Sequence, residues 1–149
     1  TRGFGAAAVP SGETHIADRV GSSINPFTLT SGNNAYGAWT QILGSSDTPV
    51  HTGGLYFDLA EVLVTAVNDN AIYVVQISWG ESSALADNLT SGNYSEFPIK
   101  RDSSSVQSSK ESLPMKPVPA GTKIWARIIA IGANAKTASF YFGLHEYTA

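Results

Sequence analysis

The chain has 149 residues, enough for one domain with its own core, and it contains no cysteine, which excludes disulfides and thiolate metal sites. Charged residues make up only 14% of it, and the formal net charge is −3. Because the lysines and arginines are scattered and no apolar run approaches about 20 residues, we expect neither a nucleic-acid partner nor a membrane-spanning segment.

Residues 1–35 differ from the rest of the chain. Glycine and proline interrupt every short apolar stretch, yet the segment is too apolar for a solvated tail. We predict that residues 1–20 form an extended N-terminal arm that orders against a neighbouring subunit or partner, so that their deletion should leave the domain that follows folded but abolish assembly. The alternative is an arm that wraps its own domain and adds an edge strand near residues 26–30. The candidate residues for contact with a partner are Arg2, Phe4, Val9, Ile16, Arg19 and Val20.

A β domain is predicted over residues 36–149. Residues 36–43 alternate in polarity, and residues 54–67 and 71–79 form two longer strands around an Asn-Asp-Asn turn. The apolar phase within residues 54–67 changes parity, which predicts a β-bulge near residues 60–61; the alternative is two shorter strands with a bend.

Residues 80–119 are more polar. One helical turn is predicted within residues 82–89, a short strand over residues 94–100 and an extended segment over residues 113–119. In residues 123–131 and 138–147 successive side chains, rich in β-branched and aromatic groups, fall on alternate faces, and a Gly-Ala-Asn-Ala turn lies between them, which predicts a β-hairpin. Both strands carry large apolar groups on each face, so we expect each to be covered on both sides.

Short strands without a convincing amphipathic helix predict an all-β protein. From the number of strands, we expect an antiparallel β-sandwich of jelly-roll type over residues 36–149. The arm and lead-in of residues 1–35 would precede it.

Patterns typical of catalysis or metal binding are not found in the sequence. The three histidines share no metal-ligand spacing, and a zinc site needs three or four converging ligands. Asp58 and Glu61 lie on one strand, and nothing in the spacing proposes a facing pair of carboxylates, as a glycosidase requires. We therefore predict that the protein is not an enzyme and uses no metal or cofactor.

The aromatic residues leave a ligand-binding alternative open. Trp39, Trp79 and Trp125 lie inside predicted strands, so we assign them to the core. Tyrosines nearer the strand ends are better placed to offer an apolar platform to a sugar ring. These platform candidates are Tyr36, Tyr94 and Tyr147.

Residues 117–127, PVPAGTKIWAR, resemble a motif that recurs near the C-terminus of small structural proteins of tailed bacteriophages. In that group a Ser/Ala/Asn-rich turn and a closing strand follow the motif. The order of YGAWTQI over residues 36–42 and the long strand around residues 55–64 is similar to the same group. The resemblance covers roughly residues 36–147. It implies a virion component, either a capsid decoration (cement) protein or a tail- or fibre-associated module, and it brings no catalytic residues.

These observations predict a capsid decoration protein that stabilises the shell by bridging major capsid subunits. Its partners would be the major capsid protein and copies of itself, as a homodimer or homotrimer. It would be made in the cytoplasm of the bacterial host and would lie on the capsid surface of the virion. The alternative is a tail- or fibre-associated β-sandwich module that binds a receptor or a carbohydrate.

Overall fold

The computed structural model describes residues 15–20, 26–43, 56–80, 85–101, 109–112 and 115–147. Its elements in chain order are β1 (His15–Val20), β2 (Phe27–Thr30), β3 (Thr40–Leu43), β4 (Tyr56–Val67), β5 (Ala71–Trp79), α1 (Leu85–Thr90), β6 (Tyr94–Arg101), β7 (Ser109–Ser112), β8 (Val118–Pro119), β9 (Ile124–Ala130) and β10 (Thr137–Tyr147). In this part of the chain, no helix is long and apolar enough to cross a membrane.

Six strands form one sheet around two long central strands, β4 and β10. These two pair antiparallel with each other over most of their length. The other edge of β10 pairs with β1 and β2, and the other edge of β4 pairs with β7 and β8. Each long strand is therefore flanked by two short strands, one after the other.

The second sheet has four antiparallel strands in the order β3-β9-β5-β6. Its two edges are β3, which has four residues, and β6. Pro98 lies in β6, where a residue without a backbone N–H is tolerated because the outer edge of the sheet needs no ladder donor.

The two sheets enclose one hydrophobic core. Trp79 belongs to this core, with 6% of its surface exposed, as the sequence predicted. The prediction of an all-β antiparallel sandwich is confirmed. The largest fully buried side chains come from both sheets: Tyr73, Phe57, Phe140, Phe142, Ile42, Leu59, Ile77, Ile124, Ile128, Leu144 and Val62.

The bulge predicted near residue 60 is also confirmed. The register of β4 against β10 skips Ala60. Gly143 lies opposite Glu61, whereas the next residue of β10 lies opposite Leu59. The extra residue reverses the parity of the strand, so the apolar side chains before and after it face the same core.

The hairpin predicted from residues 123–131 and 138–147 is wrong. β9 and β10 lie in different sheets, and the connection between them crosses from one sheet to the other. The backbone of this connection is hydrogen-bonded to an earlier segment instead: the N–H of Asn34 donates to the carbonyl of Ala133 at 3.0 Å. Alternating polarity gives each strand one inward apolar face in either arrangement, so the pattern alone does not distinguish them.

β1 and β2 lie within the segment that the sequence assigns to an arm and lead-in. Both pair with β10 of the same chain, and Phe27 of β2 lies opposite Phe140 of β10. β2 corresponds to the edge strand that the alternative interpretation placed near residues 26–30. Among the predicted contacts with a partner, Ile16, Arg19 and Val20 lie on β1, whereas Arg2, Phe4 and Val9 lie outside the described residues.

Candidate functional site

The face of the four-stranded sheet that points away from the core carries the candidate site. Arg127 of β9 lies opposite Gln76 of β5, and Trp125 lies opposite Ser78. On the edge strand β6, Glu96 lies opposite Gln76 in turn. Because side chains alternate along a strand, this register sets polar and aromatic groups from three strands side by side on one surface.

Tyr36 and Trp39 reach the same face from the segment that precedes β3. The N–H of Gly37 donates to the carbonyl of Ile128 at 2.9 Å, which fixes this segment against β9. A Cβ atom at position 37 would lie 1.8 Å from the carbonyl oxygen of Thr30. Only glycine allows such a close approach, so Gly37 is what lets the two aromatic residues lie over the sheet.

A chain of hydrogen bonds crosses the face from strand to strand. Arg127 donates through Nε to Oε1 of Gln76 at 2.7 Å, and Gln76 donates through Nε2 to Oε2 of Glu96 at 2.6 Å. The hydroxyl of Tyr36 donates to the same Oε2 at 3.2 Å. The amide of Gln76 is thereby held between one positive and one negative side chain, and the group carries no net charge.

The guanidinium of Arg127 also contacts two aromatic rings. Its Cζ atom lies 4.5 Å from the ring centroid of Tyr36 and 4.3 Å from that of Trp39. Cation–π contacts of this kind stabilise by about 0.5–2 kcal/mol depending on solvent exposure. Burial lowers the pKa of Arg127, and Tyr36 and Glu96 oppose that shift. The side chain nevertheless stays charged in any ordinary buffer.

The hydroxyl of Tyr36 keeps its proton to unusually high pH. Burial is the largest cause, followed by the negative charge of Glu96, and together they raise the pKa of Tyr36 to about 12. Tyr36 therefore acts as a hydrogen-bond donor to Glu96 throughout the neutral range.

Two polar groups on this face remain open to a ligand. In the described part of the chain, the Nη nitrogens of Arg127 and Oε1 of Glu96 make no hydrogen bond. An exposed ring, that of Tyr94, lies two residues before Glu96 on β6, with 41% of its surface accessible. We call this group the aromatic–polar cluster; its members are Tyr36, Trp39, Gln76, Tyr94, Glu96, Trp125 and Arg127.

The opposite end of the same face is apolar. Ile72 and Ile131 are 43% and 53% exposed, and the N–H of Ile131 donates to the carbonyl of Ile72 at 3.0 Å. Val74 and Ile129 are half-buried beside them, and Pro98 is exposed on β6. We call these five residues the apolar end. Along the chain from Arg127, strand geometry places Ile129 about 7 Å and Ile131 about 13 Å away.

The structure brings together two of the three predicted platform residues. Tyr36 and Tyr94 lie on the outer face of the four-stranded sheet, whereas Tyr147 is on β10 in the other sheet. The assignment of Trp39 and Trp125 to the core is wrong. Both are half-buried on the outer face, because their parity along the chain is opposite to that of the core residues.

Sequence reasoning missed Gln76, Glu96 and Arg127 as parts of one site. A signal was present, because Gln76 and Arg127 interrupt strands that are otherwise apolar. An interruption of this kind marks the solvent side of a strand. Their alignment depends on the register between β5, β6 and β9, which a single strand does not reveal.

A second group of titratable side chains lies on the six-stranded sheet. The hydroxyl of Tyr147 donates to Oδ2 of Asp58 at 3.0 Å, and Nδ1 of His145 lies 3.5 Å from Oδ1 of the same carboxylate. The ring of His145 meets that of Tyr147 edge-on at 6.4 Å. These contacts join β4 to β10, so the buried carboxylate of Asp58 has a structural role as a link between the two strands.

One open cleft lies at the end of the sandwich where β5 terminates. It has a volume of about 390 Å³ and is lined by Trp79, Asn93, Thr122 and residues 116–119, with Lys116 as its charged member. Within the residues that the structure describes, no group of three or more His, Asp or Glu side chains could hold a metal ion.

Comparisons with known proteins give the chain no relative. No family model matches it, and no curated protein and no solved structure matches it either.

Proposed function

We propose that the protein is a non-enzymatic structural component of a phage virion, which decorates the capsid surface. In this role it binds major capsid subunits and copies of itself, as a homodimer or homotrimer, and it is made in the cytoplasm of the bacterial host. The observation that carries the proposal is the exposed apolar end of the four-stranded sheet. The resemblance of residues 117–127 to phage structural proteins supports the virion as its location.

The order of strand pairing supports a jelly-roll architecture for this module. If β1 and β2 count as one segment and β7 and β8 as another, the strands that the structure describes make eight segments. The first pairs with the eighth, the second with the seventh, the third with the sixth and the fourth with the fifth. A long antiparallel hairpin rolled into two sheets has this pairing, and such jelly rolls are common in viral capsid proteins.

The apolar end is suited to contact with another protein. Contiguous exposed apolar surface on a soluble domain marks an interaction site, because water is displaced from it on binding. Ile72 lies on β5, Ile131 directly follows the adjacent strand β9, and both side chains are exposed. We assign this surface to the contact with the major capsid subunit.

The low charge of the chain agrees with a role that depends on local fit. With a net charge of −3 and few ionisable side chains, long-range attraction contributes little to association. A decoration protein instead gains from mass action, because it binds the assembled shell and not the free subunits. Many copies on one shell add effective concentration to a weak individual contact.

Co-sedimentation with capsid shells that lack the protein tests the proposal. Wild-type protein, an Ile131→Asp variant and an Ala120→Asp control would be compared, since Ala120 is exposed in a turn outside the apolar end. We expect saturable binding in a fixed ratio to shell subunits, unchanged in the control and at least tenfold weaker in Ile131→Asp, because a buried charge without a partner opposes docking.

Two results would contradict the proposal. One is the absence of saturable binding by the wild-type protein. The other is equal binding by Ile131→Asp and Ala120→Asp, which would remove the apolar end from the contact. A deletion of residues 1–14, run in parallel, measures what the predicted arm adds to shell binding.

A further inference from the structure

The open polar atoms of the aromatic–polar cluster comprise one donor group and one acceptor. The Nη nitrogens of Arg127 can only donate, and Oε1 of Glu96 can only accept when ionised. Both groups are held in place, Arg127 by two rings and Gln76, and Glu96 by Gln76 and Tyr36. A ligand therefore meets fixed hydrogen-bonding partners, which reduces the entropy cost of binding.

The charges of the cluster select against ionic ligands. Arg127 and Glu96 lie on strands that are separated only by β5, so their backbones are about 10 Å apart. An anion bound to Arg127 would lie within the range of the Glu96 charge, and a cation bound to Glu96 would lie within that of Arg127. A neutral molecule with both donors and acceptors meets no such repulsion.

An aromatic residue accompanies each open polar group. Tyr94 precedes Glu96 by two positions on β6, and Trp125 precedes Arg127 by two positions on β9. Each pair lies on the outer face, with the exposed Tyr94 at the edge of the sheet. A ligand that fits this surface has an apolar face to pack on rings and a rim of hydroxyl groups to bond with the polar side chains.

We propose that the aromatic–polar cluster binds neutral pyranose rings of a glycan. A pyranose has an apolar C–H face and a rim of hydroxyl groups, each of which both donates and accepts. Its C–H face packs on Tyr94 and Trp125, and its hydroxyl groups bond to Glu96 Oε1 and to the Nη nitrogens of Arg127. This activity goes beyond capsid decoration and does not depend on it, because the cluster and the apolar end are separate parts of the face.

A glycan array is the first test of the site. The array carries neutral hexose and N-acetylhexosamine oligosaccharides beside sialylated and uronic-acid-containing ones. The strongest neutral glycan is then titrated calorimetrically against wild-type protein, Tyr94→Ala, Glu96→Gln and the control Tyr56→Ala. Tyr56 is an equally exposed tyrosine, with 47% of its surface accessible, on the other sheet.

We expect neutral glycans to bind, and we expect Tyr94→Ala and Glu96→Gln each to weaken the affinity about tenfold or more. Tyr56→Ala and Ile131→Asp should leave the affinity unchanged. Thermal unfolding of each variant checks that the fold is intact, and Glu96→Gln keeps the test valid if Tyr94→Ala unfolds. The inference is overturned by binding of acidic glycans alone, by no binding to the array, or by equal losses in Tyr94→Ala and Tyr56→Ala.

The two proposals fail in different ways. Ile131→Asp is expected to lose shell binding and keep glycan binding, and Tyr94→Ala is expected to do the reverse. A protein that binds shells but no neutral glycan keeps the decoration role and loses the sugar site.

Discussion

Arg127 is the residue that joins three elements of the outer face. Its side chain contacts the segment before β3 through Tyr36 and Trp39, and it contacts β5 through Gln76. A lysine at this position would keep the charge, but it lacks the planar group that stacks on two rings while donating through Nε. The shape of the guanidinium, more than its charge, is what the site uses.

The raised pKa of Tyr36 predicts a pH dependence of stability. Because the folded protein holds this proton more tightly than the unfolded chain does, the contribution to stability is complete below about pH 10, the ordinary tyrosine pKa. It is lost as the pH rises towards the folded-state pKa of about 12. We expect urea unfolding between pH 9 and 12 to show a steeper loss of stability for wild-type protein than for Tyr36→Phe. Parallel losses in both proteins would contradict this linkage.

At the scale of elements, the connections determine how the strands are shared between sheets. The segment after β2 bonds to the β9-β10 connection at several points, including the N–H of Ser31 to the carbonyl of Lys136 at 2.8 Å. The β4-β5 turn is held to the start of β10 by an ion pair between Lys136 and Asp69 at 2.7 Å. These contacts tie the segment after β2 and the turn between β4 and β5 to the connection between β9 and β10.

Gly37 is the position where one such connection tolerates no side chain. In Gly37→Ala, the new methyl group would overlap the backbone carbonyl of Thr30, and neither partner is a flexible side chain. We expect a loss of about 2–3 kcal/mol in the free energy of unfolding, the usual scale for overpacking. Calorimetry or urea unfolding measures it. The neighbouring exposed control, Ala38→Ser, should change stability by less than about 0.5 kcal/mol, and equal effects would show that Gly37 has no special role.

At the scale of the whole molecule, the structure places part of the predicted N-terminal arm within the six-stranded sheet. The sequence interpretation treated residues 1–20 as an arm whose removal would leave the sandwich folded. β1 instead pairs with residues 142–147 of β10 at six positions. The described sheet therefore includes part of that segment.

Two truncations separate a binding arm from a structural strand. Removing residues 1–20 deletes β1 and leaves part of one edge of β10 unpaired, so we expect a loss of about 3 kcal/mol or more, at about 0.5–1.5 kcal/mol per net hydrogen bond. Exposed strand edges also promote aggregation. Removing residues 1–14 deletes no described strand and keeps β1, so it is the matched comparison. Equal melting temperatures for both truncations would show that β1 adds nothing to the stability of the sheet.

The fold class, most strand positions and the β4 bulge could be predicted from the amino-acid sequence. Those features follow from the period of apolar side chains, which depends only on neighbours along the chain. The sequence also indicated Tyr36 and Tyr94 as platform candidates near strand ends, and both lie on the outer face.

Which strands are neighbours could not be predicted from the sequence and is known from the fold. The crossing between β9 and β10, the outward position of Trp125 and the line of Arg127, Gln76 and Glu96 all depend on pairing between residues distant in sequence. A strand with apolar groups on both faces is compatible with either side facing the core. The choice is fixed by the packing of the two sheets together, because one face of each strand fills the core and the other is left to form the site.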